Sequence, residues 1–331
     1  MKHKVAFIGA GDVVRRSYLP ALAQRSDCTV VGVCSQSIQS AREVANQYGI
    51  EQVFATYQEL LLQPEIDTVF ICTPTYLHRP MAEAAIAQQK HILVEKPLCA
   101  TYQDSQALLK QAAGYSKTFY VAFNNQFRGE NQWLKHQVQA GKAGKIELID
   151  FAWYRTKRYE AKAWLYRPEQ SGGGVLIDLG AHLIHFALSL LPDRHEFTAY
   201  GHTISHQPNV SSVEDTAIGM VTVDSQTTIL IKLGWAMQLA TPSMVTLEVL
   251  GPGGRFSNRD YQAVEANIKK TSGFEPLLEE FFRHIEAGTR PDLYLVDDTM
   301  LVLDKLYQSS QTGASLNGNF CGARNEHDHR G

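Results

Sequence analysis

Five mainly apolar runs, Lys4–Gly9, Thr29–Cys34, Asp67–Thr73, His91–Glu95 and Phe119–Phe123, alternate with segments of helical spacing through the first third of the chain. Strands that read as unbroken hydrophobic stretches are buried on both faces, which requires helices on either side of their sheet. The rhythm therefore predicts a Rossmann-type, doubly wound parallel sheet. Helices are expected over Val14–Gln24, Gln39–Tyr48, Leu77–Gln89 and Tyr102–Ala113, with Gly49 at a C-cap position.

Beyond Asn124 the rhythm changes. A helix over Asn131–Ala140 leads to a long strand, Lys145–Thr156, and an aromatic and basic loop runs through Arg167. Strands then follow with little helix between them: Glu196–His202, Asp215–Thr222, Thr227–Trp235 and Val245–Leu250, before two closing helices at Glu275–Ala287 and Asp297–Ser309. This pattern predicts an α+β domain with a large, mainly antiparallel open sheet flanked by helices on one face. At 331 residues the chain exceeds one ordinary core, and the expected division is 1–123 and 124–331. Alternation in Thr227–Trp235 leaves one sheet face in need of cover, so a homodimer or homotetramer through that face is expected.

The formal net charge of −3 gives no electrostatic case for nucleic acid or an anionic membrane. The apolar run near the N-terminus is too short for a signal sequence, and no segment reads as approaching the roughly 20 apolar residues of a membrane span. The 5 cysteines show no C-x-x-C spacing; Cys34 and Cys72, inside apolar runs, are expected to be small buried hydrophobes, in a cytoplasmic protein without disulfides. The His-rich tail 322–331 reads as a frayed terminus.

Gly9-Ala10-Gly11-Asp12-Val13-Val14 directly follows the first strand and opens the first helix. Its first two glycines suit a tight turn and close approach of a pyrophosphate to a helix N-terminus, although Val14 occupies the third glycine's place. The second strand ends Cys34-Ser35-Gln36-Ser37, where an NAD-selective site would place an acid on the ribose. Ser35 stands there instead, which favours NADP; Ser35, Ser37, Arg42 or Arg15 would meet its phosphate, and a tolerant site using NAD remains open. Thr73-Pro74, followed by His78, and Glu95-Lys96-Pro97 stand at the ends of later strands, where doubly wound sheets bind ligands.

Gly172-Gly173-Gly174 opens an apolar helix in which Asp178 and His182 share one face, one turn apart. Such a pair can be a buried hydrogen-bonded couple, part of an active site or, with His185 one turn further on, a set of metal ligands.

Together, Gly9-x-Gly11, Thr73-Pro74 with His78, Glu95-Lys96-Pro97 and Gly172-Gly173-Gly174 with Asp178 and His182 resemble the Gfo/Idh/MocA oxidoreductases. The resemblance also includes Phe123-Asn124 and Gly141–Ile146. It implies an NAD(P)-dependent enzyme acting on a sugar, cyclitol or related polyhydroxylated compound, with no metal. Lys96, Asp178 and His182 would be catalytic, projecting into an interdomain cleft. His182 would move the proton, since an imidazole titrates near neutrality, Lys96 would polarise the reacting oxygen and Asp178 would orient. Cofactor contacts would come from Gly9, Gly11, Asp12, Val13, Val14, Ser35, Gln36, Arg42, Thr73, Pro74, His78, Glu95, Lys96 and Pro97. Substrate contacts are expected from Asn124, Tyr154, Arg155, Trp164 and His185, with Trp153 and Arg158 as further pocket candidates. The chain departs from the family's pattern at Val14, at Asn125-Gln126 and at His185. The competing functions are a metal enzyme and a catalytically inactive, dinucleotide-dependent sensor of the same fold.

Overall fold

The computed structural model describes residues 2–156, 163–206, 211–235, 237–261 and 272–321. It contains two compact units: Met1–Cys99, Gln103–Asn124 and Thr271–Leu293 in the first, and Ala100–Tyr102, Asn125–Lys270 and Tyr294–Gly331 in the second.

The first unit holds six parallel strands: β1 (His3–Ile8), β2 (Cys28–Cys34), β3 (Gln52–Phe54), β4 (Thr68–Ile71), β5 (His91–Glu95) and β6 (Phe119–Ala122). Their order, β3-β2-β1-β4-β5-β6, reverses direction between β1 and β4. That switch point opens a crevice at the carboxyl ends of the strands. All four residues of β4 are buried, as its unbroken apolar sequence requires. The first helix opens in a wide π turn, Val14–Tyr18, before the α-helical turn Leu19–Leu22. Val14 is fully buried at that turn, where the fingerprint has a glycine that lets helix and strand approach. The helix Phe274–Ala287, late in the sequence, belongs to this first unit. Phe281 meets Phe70 edge-on at 5.6 Å, and Phe274 meets Tyr18 at 5.0 Å. Burying such aromatic faces is what draws the late helix back onto the early sheet.

The second unit holds β7 (Leu148–Arg155), β8 (Glu196–Ile204), β9 (Thr216–Val223), β10 (Thr227–Gly234), β11 (Ser243–Gly251), β12 (Gly254–Ser257) and β13 (Leu316–Asn319). Their order is β12-β11-β7-β10-β9-β8-β13, antiparallel throughout except for the β7–β10 pair. Alternate residues of β7, Ile149, Phe151 and Trp153, are buried, so one sheet face carries the core.

That face packs on the helix Ala181–Ser189 with matching spacing. Phe151 meets Phe186 at 6.5 Å between ring centroids, and Trp153 meets His182 at 5.8 Å. Two strand residues advance about 6.6 Å and four helical residues about 6 Å, so the two pairs fit without slippage. The helical stretch Pro168–Ser189 is long and apolar enough to cross a membrane by length and composition, contrary to the expectation that no segment is. Of its most apolar window, 89% is buried inside the protein. Its oiliness is that of a core helix.

Candidate active site

In the first unit the motifs converge on the carboxyl ends of the strands. Gly9 follows β1 with φ 116°, and a Cβ there would overlap the backbone carbonyl of Cys72 at the end of β4. Only glycine permits this close crossing of two strand ends. Gly11 is different: a Cβ there would have no neighbour within 4 Å. Nothing among the described residues requires that glycine, so its open flank beside a helix N-terminus suits a bound pyrophosphate. The cradle fits the dinucleotide that the fingerprint implies.

Arg15 braces this turn. Its guanidinium donates to the Ala10 carbonyl at 3.1 Å and to the Ser40 carbonyl and hydroxyl at 3.0 Å, and it pairs with Glu43 at 3.2 Å. The Ser37 hydroxyl accepts from the Ser40 N–H at 3.2 Å as the cap of the helix Ile38–Tyr48. Both side chains are therefore engaged elsewhere, whereas Ser35 is half-buried and Gln36 exposed just after β2, and Arg42 is exposed on the helix Ile38–Tyr48.

Glu95 uses both carboxylate oxygens on the protein, accepting from the Tyr18 hydroxyl at 2.7 Å and from the Lys96 N–H at 3.1 Å. Burial and the Glu95 charge hold the Tyr18 phenol well above its ordinary pKa. The first helix is thereby tied to the turn that carries Lys96, whose peptide to Pro97 is cis. His78 is 1% exposed. Its Nδ1 lies 2.9 Å from the Pro97 carbonyl and its Nε2 3.0 Å from the Thr73 carbonyl. This histidine joins the two loops that follow β4 and β5. Burial lowers its pKa, against the pull of those carbonyls. Asn124, just after β6, is half-buried and donates to the Ser272 carbonyl at 3.4 Å.

In the second unit, Asp178 lies in a π turn, Leu176–Gly180, that runs into the α-helix carrying His182. The wider turn differs from the regular α-helix that the sequence spacing suggests. His182 is 7% exposed, under the Trp153 ring, and Trp153 Nε1 donates to the Ser243 hydroxyl at 2.9 Å. The indole is thus held at its Nε1 edge, with its ring tilted against the imidazole. Burial and the Asp178 carboxylate raise the Tyr166 phenol, a neighbour of Asp178 that the sequence did not point to.

Sequence comparison matches residues 3–123 to the model described as "Oxidoreductase family, NAD-binding Rossmann fold" and residues 131–257 to "GFO/IDH/MocA C-terminal domain". The chain belongs to the Gfo/Idh/MocA oxidoreductase family. D-glucoside 3-dehydrogenase of Escherichia coli (strain K12) is 23% identical over 95% of this chain and 97% of its own length. A dTDP-3,4-didehydro-2,6-dideoxy-alpha-D-glucose 3-reductase of Streptomyces antibioticus is 31% identical, over 57% of each chain. Among solved structures, levoglucosan dehydrogenase with NADH and levoglucosan has a TM-score of 0.85 at 18% identity, covering 96% of this chain and 99% of its own. GenD2 from gentamicin A biosynthesis, in complex with NAD, also has a TM-score of 0.85 at 19% identity, covering 96% and 97%. The Gfo/Idh/MocA chain described here is accordingly an oxidoreductase with a NAD-binding Rossmann domain.

Tyr154, Arg155, Trp164 and His185, four of the expected substrate residues of this Gfo/Idh/MocA member, belong to the second unit. Tyr154 alternates with Trp153 along β7 and so stands on the opposite sheet face from His182. Arg155 is exposed, with its guanidinium 5.8 Å from the Trp153 ring. Trp164 is half-buried in the short turn Ala163–Tyr166, and Arg158 lies outside the described residues. Among the described residues no group of three or more His, Cys, Asp or Glu is arranged to hold a metal ion.

His185 is 4% exposed and its Nδ1 lies 3.3 Å from the Thr299 hydroxyl. Burial, with Lys135 and Arg194 nearby, lowers its pKa to about 3. An unfolded histidine titrates near 6.5, so between that pH and about 3 the unfolded chain binds the extra proton. Stability is therefore lost as pH falls through this window, by about 2 kcal/mol at pH 5 from this residue. His185→Gln should lose less stability than the unsubstituted protein between pH 7 and 5 in urea unfolding. Equal losses would reject a neutral, buried His185.

Proposed function

We propose that this enzyme transfers a hydride between a nicotinamide cofactor and a sugar, cyclitol or related polyhydroxylated compound, with Lys96, Asp178 and His182 as its reacting groups. The observation that carries the reading is the buried imidazole of His182, packed against Trp153 and four residues from Asp178. A buried histidine four residues from a carboxylate on one helical stretch suits proton transfer to and from a hydroxyl. The relatives' names, which include a glucoside dehydrogenase and a levoglucosan dehydrogenase, support the substrate class.

Gly9, Gly11 and the N–H groups of Asp12, Val13 and Val14 would hold the pyrophosphate. When bound, the nicotinamide accepts or supplies the hydride. In oxidation, His182 takes the hydroxyl proton as hydride leaves the same carbon; in reduction it returns that proton. Lys96 presents positive charge to the oxygen that becomes a carbonyl or alkoxide. Asp178 orients the substrate hydroxyl and the imidazole. Ala100, shortly after Lys96 in the chain, belongs to the second unit and abuts Gly172 at the start of the glycine loop. The experiment is turnover on a panel of sugars and cyclitols with each cofactor, followed by nicotinamide absorbance. Turnover on at least one supports the assignment; none on any rejects it.

We infer further that the cofactor site accepts NADP, because Ser35 carries no charge to repel a 2′-phosphate and Arg42 is exposed on the helix that follows. Ser35→Asp should shift the NAD-to-NADP ratio of kcat/KM toward NAD by about tenfold or more, about 1.4 kcal/mol. An unchanged ratio would reject the inference. Self-association follows from the open sheet face, where Tyr200 lies directly opposite Met220 and Ile218 is 56% exposed. Light scattering at micromolar concentration should give a dimer or tetramer; a monomer mass would reject it.

A further inference from the structure

The glycine loop before Asp178 is gripped by two residues that the catalytic assignment does not use. Glu214 accepts from the Gly174 N–H through Oε2 and from the Leu176 N–H through Oε1, both at 2.9 Å. The Tyr307 hydroxyl donates to the same Oε1 at 2.7 Å and accepts from the Ile177 N–H at 3.2 Å. The Glu214 backbone carbonyl also accepts from Val175 N–H at 3.1 Å. Every neighbour of the carboxylate in this network is a donor. The side chain therefore acts as an ionised cap on the first turn of the helix that carries Asp178 and His182.

The glycines are the counterpart of this grip. A Cβ on Gly173 would overlap the Tyr307 hydroxyl, and one on Gly174 would overlap the Glu214 carbonyl. The Gly-Gly-Gly run is thus fitted to the two clamping groups. Burial holds the Glu214 carboxyl above its ordinary pKa, against the opposing pull of the Tyr307 hydroxyl and the two N–H groups.

We propose that Glu214 and Tyr307 are positioning residues that set the register of the π turn, and through it the placement of Asp178 and His182 for proton transfer. The proposal rests on the assignment of those two residues as reacting groups. Asp178 N–H donates to the Gly174 carbonyl at 3.0 Å, so the gripped glycine is also the first hydrogen-bonded anchor of Asp178. Loosening it moves the carboxylate directly. The Gly9–Gly11 turn of the cofactor cradle belongs to the other unit.

The test uses the full chain with Glu214→Gln, Tyr307→Phe and the double variant, beside Phe320→Leu as a control for lost stability alone. Phe320 is fully buried on Phe197 near the β8–β13 edge of the sheet. Both single variants should lower kcat by about 10- to 100-fold with NAD(P)H affinity unchanged, and the double variant should fall well short of the product of the two. Amide exchange over 174–178 should quicken in both. Activity of Glu214→Gln and Tyr307→Phe within about twofold of the unsubstituted enzyme would overturn the proposal, as would a kcat loss that tracks melting temperature as in Phe320→Leu. If the unsubstituted chain turns over no sugar, the function fails instead. Unchanged exchange over 174–178 would then still overturn the clamp.

Discussion

His182→Gln should lower kcat by about 10²–10⁴-fold while leaving the NAD(P)H dissociation constant within about twofold of the unsubstituted value. Glutamine keeps a polar side chain of similar reach beneath Trp153 but cannot take up and return a proton. The loss corresponds to about 3–5 kcal/mol of transition-state stabilisation. Because the side chain belongs to the second unit, the nucleotide turn at Gly9–Gly11 is untouched. Steady-state kinetics with a cofactor fluorescence titration checks both halves. Loss of turnover with intact binding supports an acid–base role. Retained turnover would move the proton to another group, with Tyr166 beside Asp178 the first candidate.

The second large effect separates the two glycines of the nucleotide turn. Gly9→Ala places a side chain at φ 116° and against the Cys72 carbonyl, so either the β1–β4 crossing or the turn must shift. A cost on the order of 3 kcal/mol or more follows, a drop in melting temperature of about 6–12 °C for a chain of this size, together with loss of cofactor binding. Gly11→Ala meets open space, so its melting temperature should hold within a few degrees while cofactor affinity falls by about tenfold or more. Differential scanning fluorimetry and NAD(P)H titration distinguish them. Equal melting losses would mean that both glycines serve only the fold.

Much of this architecture is legible in the chain. The buried strands β1, β2, β4, β5 and β6 announce themselves because continuous apolar sequence has no other stable use in so short a run. β3 and β13 do not, since Gln52–Phe54 and Leu316–Asn319 are short edge segments without a pattern. The helix Phe274–Ala287 is readable as a helix from its periodicity, but its return to the first unit is a tertiary choice made by Phe274 and Phe281. The same limit hides function. His78 stands at a ligand-binding strand end and yet turns into the protein, because two backbone carbonyls face its ring. Tyr154 and Trp153 are equally plausible pocket aromatics until strand alternation sends one to each face. Glu214 and Tyr307 are far apart in sequence and meet only in the fold; the Glu-Asp pair heading β9 is the one local hint.

The central claim, that Lys96 and His182 act on one carbon beside a nicotinamide, is tested most directly by a crystal structure with NADP⁺ and a turned-over sugar. The account predicts the pyrophosphate over Gly9–Gly11, with His182 and Lys96 both within hydrogen-bond reach of the hydroxyl on the carbon facing the nicotinamide. A sugar bound away from His182, or a nicotinamide directed away from Lys96, would contradict it.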